Sequence, residues 1–276
     1  MSHKNSLLLV DPEFDPGTAA DCNLLLKITA DSFSYAIIDK NNDQLKAVYD
    51  QQESANVGKD LAAKIKNDPY LSLPYKEIKV SVYTGNSISI PNVFFDPEQL
   101  SHYAMYFSEP SSDHLYARPS ATYGFTSIFT LQESMDELLS STLQSCVLFD
   151  HAAPILAIAG VQDSKSLVMD FTATSFNAAL TEGHKLVFRN YYEIDNVDEF
   201  NYYLLFMINQ LQIDCRHTAV VLSGIVHEED DRFECIRKYF SDITFHNAGT
   251  KNLDQRILDD MPAHYYSSLL ALDLCE

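Results

Sequence analysis

One order of elements occurs twice along the 276 residues, and it limits the chain to few architectures. In the first half, residues 23–29 (NLLLKIT) and 33–38 (FSYAII) are apolar runs that predict strands joined by the turn Ala30-Asp31-Ser32. The turn cluster KNND at 40–43 then leads into a third strand at 44–49. Val57, Leu61 and Ile65 recur every four residues and predict a helix that ends before Pro69. Ile78, Val80 and Val82 alternate as a fourth strand. Asp96 before Pro97 is a helix-start signal, and Leu100, Ala104 and Phe107 form the expected apolar stripe.

The second half repeats the series. Residues 166–171, 175–180 and 185–192 predict another three-strand meander, with Thr181-Glu182-Gly183 in a turn. A helix opens at Asn196, supported by Glu199 three residues on, and carries Phe200, Leu204, Met207, Ile208 and Leu211 inward. A buried strand at 218–223, a helix with Phe233, Ile236 and Phe240, and a short strand at 243–245 complete it. The second half therefore reads β-β-β-α-β-α-β, and the first matches its first six elements. Between them, 122–130 and 145–149 read as strands around a helix carrying Leu131, Met135, Leu138 and Thr142, with their pairing left open. No Gly/Ser-rich or charged linker intervenes, so the boundary is set near 150: an α/β lobe over 1–150 and a second over 151–276, whose C-terminal helix is in position to pack back on the first.

Composition excludes several functions. With 39 Asp and Glu against 19 Lys and Arg, and acid in excess in both halves, the net charge of -20 opposes nucleic acid and anionic membrane surfaces. Cys22, Cys146, Cys215, Cys235 and Cys275 are odd in number and widely spaced, which predicts reduced thiols and a cytoplasmic location. The run Leu7 to Val10 is too short for a signal segment, and residues 147–160 fall short of a membrane span. No Walker A, Gly-x-Gly-x-x-Gly, Gly-x-Ser-x-Gly or His-Glu-x-x-His string occurs. His227-Glu228-Glu229-Asp230-Asp231 reads as a solvated helix start, because consecutive helical residues do not converge on one ion. His151 reads as a satisfied interior histidine, and no catalytic or metal-binding residue is assigned. Tyr191-Tyr192, Tyr202-Tyr203 and Tyr265-Tyr266 are candidates for partner contact.

Two strings carry a family resemblance: Asp170-Phe-Thr-Ala-Thr-Ser-Phe-Asn-Ala-Ala-Leu180, and Val220-Val-Leu-Ser-Gly224 before a helix. With the repeated order, they resemble the second phosphate hairpin and the adenosine motif of the actin, sugar-kinase and heat-shock ATPase superfamily. The whole chain is similar to a family of uncharacterised bacterial proteins, a domain of unknown function, with an actin-like ATPase fold. The resemblance implies two ribonuclease H-like lobes closing around a nucleotide, with Asp170, Thr172, Thr174, Gly224, Asp31 and Ser32 as cleft candidates. The chain departs from the pattern where phosphates would bind. Backbone amides approach phosphate most closely where glycine removes the Cβ, yet neither 172–174 nor 29–32 contains a glycine. Lys27 and Ile28 stand where the superfamily carries its Mg-associated Asp, and Ile225 replaces the second adenosine-motif glycine. ATP with Mg²⁺ is accordingly disfavoured, and no other cofactor is expected. The reading is a non-catalytic scaffold that binds protein partners; the alternative is a nucleotide- or metabolite-binding enzyme with altered loops in the interlobe cleft. A ribonuclease H-like nuclease would need clustered carboxylates and a basic track, which the acidity opposes.

Overall fold

The structure is a computed structural model that describes residues 6–108, 114–143, 145–162, 164–247 and 253–276. The first sheet is built from β1 (Ser6–Val10), β2 (Cys22–Ile28), β3 (Phe33–Asp39), β4 (Gln44–Gln51), β5 (Glu77–Val82) and β9 (Val147–Asp150), in the order β1-β4-β3-β2-β5-β9. The helix α1 (Val57–Asn67) follows β4, and its cap Asn56 accepts from the Lys59 amide. Between β5 and β9 stands an inserted unit: β6 (Ser87–Pro91), α2 (Leu100–Tyr103), β7 (His114–Ser120) and β8 (Phe125–Leu131), whose strands form a separate sheet in the order β6-β8-β7, and then α3 (Glu133–Thr142).

After α4 (Ala153–Ala159) the second sheet uses β10 (Lys165–Phe171), β11 (Ser175–Glu182), β12 (Lys185–Glu193), β13 (Ala219–Gly224) and β14 (Ile243–Phe245), ordered β12-β11-β10-β13-β14. The helices α5 (Val197–Gln210) and α6 (Asp231–Arg237) cover its outer face. At the start of α5, Asn196 accepts from the Glu199 amide while Glu199 accepts from the Asp195 amide, so two end donors are satisfied reciprocally. The last helix is α7 (Ser267–Ala271).

The shared order is longer than the sequence reading has it. In sheet position β4-β3-β2-β5-β9 corresponds to β12-β11-β10-β13-β14, so β9 supplies a seventh matching element. The counterpart of α6 is α3, not a helix at 97–107, because the insertion displaces it along the chain. Residues 97–106 break into a 3-10 turn, α2 and a second 3-10 turn, and Leu100, Ala104 and Phe107 are only half-buried, so the stripe does not form one continuous helical face. Leu131 ends β8 instead of opening a helix, and Thr181 and Glu182 still belong to β11. Three strands, β1, β6 and β7, are not announced by the sequence, and none of them has a continuous buried face.

Two connecting helices cross between the sheets. The residues of α4, which follows the first sheet, pack Ile155, Leu156 and Ile158 against Val168, Ala179 and Val221 of the second. In turn α7, which follows the second sheet, packs Leu269 and Leu270 against Leu25, Ala36 and Ile38 of the first. Each large apolar side chain so buried contributes about 1.5–3 kcal/mol. Among the described residues, no helix is long and apolar enough to cross a membrane.

Candidate functional site

The period-two alternation of strands decides what meets between the sheets. On β2, Leu24 and Leu26 enter the outer core while Leu25 faces the crossing helices, so Lys27 shares the inner face with Leu25. On β10, Leu167 and Met169 are in the outer core and Val168 on the inner side, which puts Asp170 inward too. The two strand ends meet there. Lys27 Nζ forms a buried ion pair with Asp170 Oδ2 and donates to Ser268 Oγ at 2.7 Å, while Ser223 Oγ donates to Asp170 Oδ1. The Asp170 carboxylate is spent on Lys27 and Ser223, because the strand end delivers it toward the first lobe.

The hairpins beyond these strand ends are built alike. In Thr29-Ala30-Asp31-Ser32 the Thr29 amide donates to the Ser32 carbonyl at 2.9 Å, and the two hydroxyls lie 2.6 Å apart. In Thr172-Ala173-Thr174-Ser175 the corresponding values are 2.9 and 2.7 Å. The hydroxyls thus close each turn internally. The difference is at the third position. Asp31 Oδ2 reaches across to accept from Thr172 Oγ1 at 3.0 Å, Thr174 Oγ1 at 2.6 Å and the Thr174 amide at 3.3 Å. Its Oδ1 accepts from Thr29 at 2.8 Å. Arg232, at the start of α6, braces the second hairpin by donating to the Thr172 carbonyl at 3.1 Å and the Ile225 carbonyl at 2.8 Å.

Of the sequence candidates, Asp31, Thr172 and Thr174 are therefore in direct contact, Ser32 supports the first turn, and Asp170 stands beside Gly224. The glycine has φ +79°, and a Cβ added there would lie 2.1 Å from the Phe171 carbonyl oxygen and 3.0 Å from Asp170 Oδ1. Close approach of two backbones requires it. A cleft of about 290 Å³ adjoins this junction, lined by Lys27, Asp50, Gln52, Ile225, Tyr266 and others. Burial, aided by the nearby Asp31, pushes the Asp50 carboxyl up to about 6 against the opposing pull of Gln52 and Lys27.

A second bridge lies at the end of β9. Burial alone would raise the Asp150 carboxyl, but the Arg189 guanidinium, His151 and the hydroxyls of Ser127 and Ser87 hold it well below the carboxylate range. Arg189 of β12 pairs with Asp150 Oδ2, which also accepts from Ser87 and Ser127 at 2.6 Å each. His151 is not satisfied as expected: its buried Nδ1 has no hydrogen-bond partner among the described residues, and the ring lies between those of Tyr83 and Tyr191 at 5.5 and 5.6 Å. Burial pulls its pKa down to about 4. Of the tyrosine candidates, Tyr191 is half-buried in this cluster, whereas Tyr202 is exposed beside Phe206. His227 to Glu229 precede α6, which begins at Asp231 with Asp230 as cap. Among the described residues, no group of three or more His, Cys, Asp or Glu is placed to hold a metal ion.

Lys27, Ser223, Ser268, Asp150 and Arg189 are absent from the sequence candidates. The first had a signal: Lys27 precedes Thr29 by two residues as Asp170 precedes Thr172, so aligning the hairpins sets opposite charges at equivalent positions. Arg189 had none, since its partner lies 39 residues away across a lobe boundary.

Among solved structures, the chain is similar to a Bacteroides thetaiotaomicron protein with actin-like ATPase fold and unknown function, 17% identical, covering 95% of this chain and 99% of that one, with TM-score 0.77. It is also similar to a chain of the PilM-PilN type IV pilus biogenesis complex (13% identical, 91% and 97% covered, TM-score 0.61). The cytoplasmic domain of EpsL, an inner membrane component of the type II secretion system of Vibrio cholerae, is 7% identical with 92% and 94% covered and TM-score 0.53. No curated protein matches the sequence significantly. These likenesses establish the actin-like ATPase fold expected from the two strings and the repeated order. A family profile spans residues 11–243, and on that extent the chain belongs to the family described as "Protein of unknown function (DUF3822)".

Proposed function

We propose that this chain is a non-catalytic protein of the actin-like ATPase fold that acts as a protein-interaction or scaffold module. The observation that carries the reading is Asp31, whose carboxylate accepts from two hydroxyls and an amide of the opposite hairpin. An incoming phosphate would have to displace an anion already holding those donors, next to a strand end where Lys27 and Asp170 neutralise each other. The carboxylates of Asp31 and Asp170 are both engaged by protein donors and so are not free to hold Mg²⁺ in the superfamily's manner.

Partner binding is supported by the insertion, where Val93, Phe94, Met105 and Tyr106 are 85%, 74%, 75% and 67% exposed. Two of the similar proteins are described as components of a pilus biogenesis complex and a secretion system, and a comparable assembly role suits this chain. Its free, widely spaced cysteines fit a reducing cytoplasm, and its acidity disfavours nucleic acid as the partner.

Calorimetric titration with ATP and ADP plus Mg²⁺, with a phosphate-release assay, tests the first half of the proposal: neither heat nor turnover is expected, and micromolar binding with turnover sinks it. Affinity capture from native cells tests the second, where a stoichiometric protein partner is expected and a lone monomer counts against it. The alternative, a metabolite-binding enzyme, rests on the 290 Å³ cleft beside Lys27 and Asp50.

A further inference from the structure

A different cavity, of about 310 Å³, lies between the inserted sheet, α4 and the segment after α7. Its walls include Phe149, Leu156, Ala157, Val161 and Leu274, which are apolar, and two arginines reach it. They are in opposite conditions. Arg189 is saturated by Asp150, Ser87 and Ser127. Arg118 is half-buried on β7, its Nε donates to the Leu148 carbonyl at 3.1 Å, and its guanidinium stacks 5.3 Å from the Phe149 ring centre. Its two terminal nitrogens have no hydrogen-bond partner, and it forms no ion pair, among the described residues.

Arg189, Arg232, Arg237 and Arg256 each have a carboxylate, and Arg216, the other arginine without an ion pair among the described residues, is exposed to solvent, whereas Arg118 is half-buried against a cavity. A partly desolvated cation without a counter-charge gains from an anion that reaches it. Burial lowers the Arg118 pKa, with no carboxylate offsetting it. Glu276 stands at the cavity but is exposed and pairs with neither arginine. The Nε bond and the ring beneath it fix the guanidinium plane, so two parallel N–H groups are presented in the geometry that a planar carboxylate accepts bidentately.

We propose that this cavity is a binding site for a small organic monocarboxylate, its acid group on Arg118 and a short hydrocarbon body against Leu156, Ala157 and Val161. The volume is at the lower end of ligand sites, about 300–1,000 Å³. With one unpaired cation the site neutralises one negative charge, and a nucleoside di- or triphosphate would leave several uncompensated beside Asp150 and Glu276.

The test titrates the full chain with 4-phenylbutyrate, with 4-phenylbutan-1-ol as the neutral analogue of the same body, and with phenyl phosphate as the competing anion, followed by amide chemical shifts. The acid should perturb Arg118 and Val161 and bind about tenfold or more tighter than the alcohol. Arg118→Gln should remove that difference while retaining the wild-type melting profile by circular dichroism. Val161→Trp, at a position 65% exposed in the folded chain, should block the acid by filling the cavity with Arg118 left in place. Equal affinity for acid and alcohol, undiminished binding by Arg118→Gln, or no binding of the acid overturns the proposal. Phenyl phosphate binding about tenfold tighter than the acid overturns the carboxylate assignment.

Discussion

The hairpins Thr29–Ser32 and Thr172–Ser175 share one hydrogen-bonding plan and differ in charge. Each is closed by a threonine and a serine hydroxyl, and each follows a strand whose end faces the other lobe. Two residues before the threonine stands Lys27 in one and Asp170 in the other; at the third turn position stands Asp31 in one and Thr174 in the other. Had both halves carried acids at both positions, the lobes would repel there and a cation would be needed between them. Opposite charge at one pair and acceptor against donor at the other join the lobes directly. One such difference in each hairpin, Lys27 in the first and Thr174 in the second, makes the junction an internal contact.

The largest way to break this comparison is Asp170→Ala, which leaves Lys27 buried and uncompensated. Urea denaturation should register a loss of about 3–5 kcal/mol, and adding Lys27→Met should recover most of it, since a buried pair replaced by apolar residues is often neutral. A double variant no more stable than the single one would mean that the pair itself is not what holds the strand ends. Gly224→Ala tests the backbone contact behind Asp170. A loss of about 2–4 kcal/mol is expected, because φ +79° and the 2.1 Å approach to the Phe171 oxygen act together. Tolerance of alanine would show that β10 and β13 can separate there.

Two groups in different places, His151 beside the second bridge and Asp50 in the cleft next to the hairpins, have opposing pH effects. The unfolded chain takes up the His151 proton near pH 6.5 and the folded protein only near 4, so stability falls by about 2–3 kcal/mol as pH drops through that interval. Asp50 works the other way: its folded carboxyl keeps a proton up to about pH 6 that the unfolded one loses near 3.8, so acid favours the fold. Melting temperature between pH 4 and 6.5 should become more acid-sensitive in Asp50→Asn and less so in His151→Phe; identical profiles would remove both assignments. The smallest effect is Asp31→Ala, about 1–2 kcal/mol for exchanging its partly exposed bonds with water. Hydrogen exchange at the Thr174 amide should quicken in that variant. An unchanged rate would argue that the hairpins are held apart from each other.

Much of the second lobe was legible in the sequence because its elements follow one another without interruption, and each announces itself locally: Asn196 with Glu199 for the α5 cap, and unbroken apolar runs for β10 and β13. The first lobe was less so. The insertion between β5 and β9 separates α3 and β9 from the strands they serve, and sequence order then assigned the sixth position to residues 97–107. Such a segment can carry a valid helix-start signal, as Asp96 does for the Glu98 amide, and still not continue as one helix. The cleft residues were named one at a time, by resemblance to phosphate loops, and nothing in that resemblance joined Asp31 to Thr174.

By itself, the sequence determined the repeated strand and helix order, the absence of glycine from both turns and the net acidity, since each depends on residues close together in the chain or on their sum. Only the tertiary structure decided that Lys27 meets Asp170 across 143 residues, that α4 and α7 exchange sheets, and that Arg118 has no carboxylate among the described residues. Those contacts depend on strand register and on which face of each sheet turns inward. Alternation specifies two faces, and only packing of the two lobes against each other selects between them.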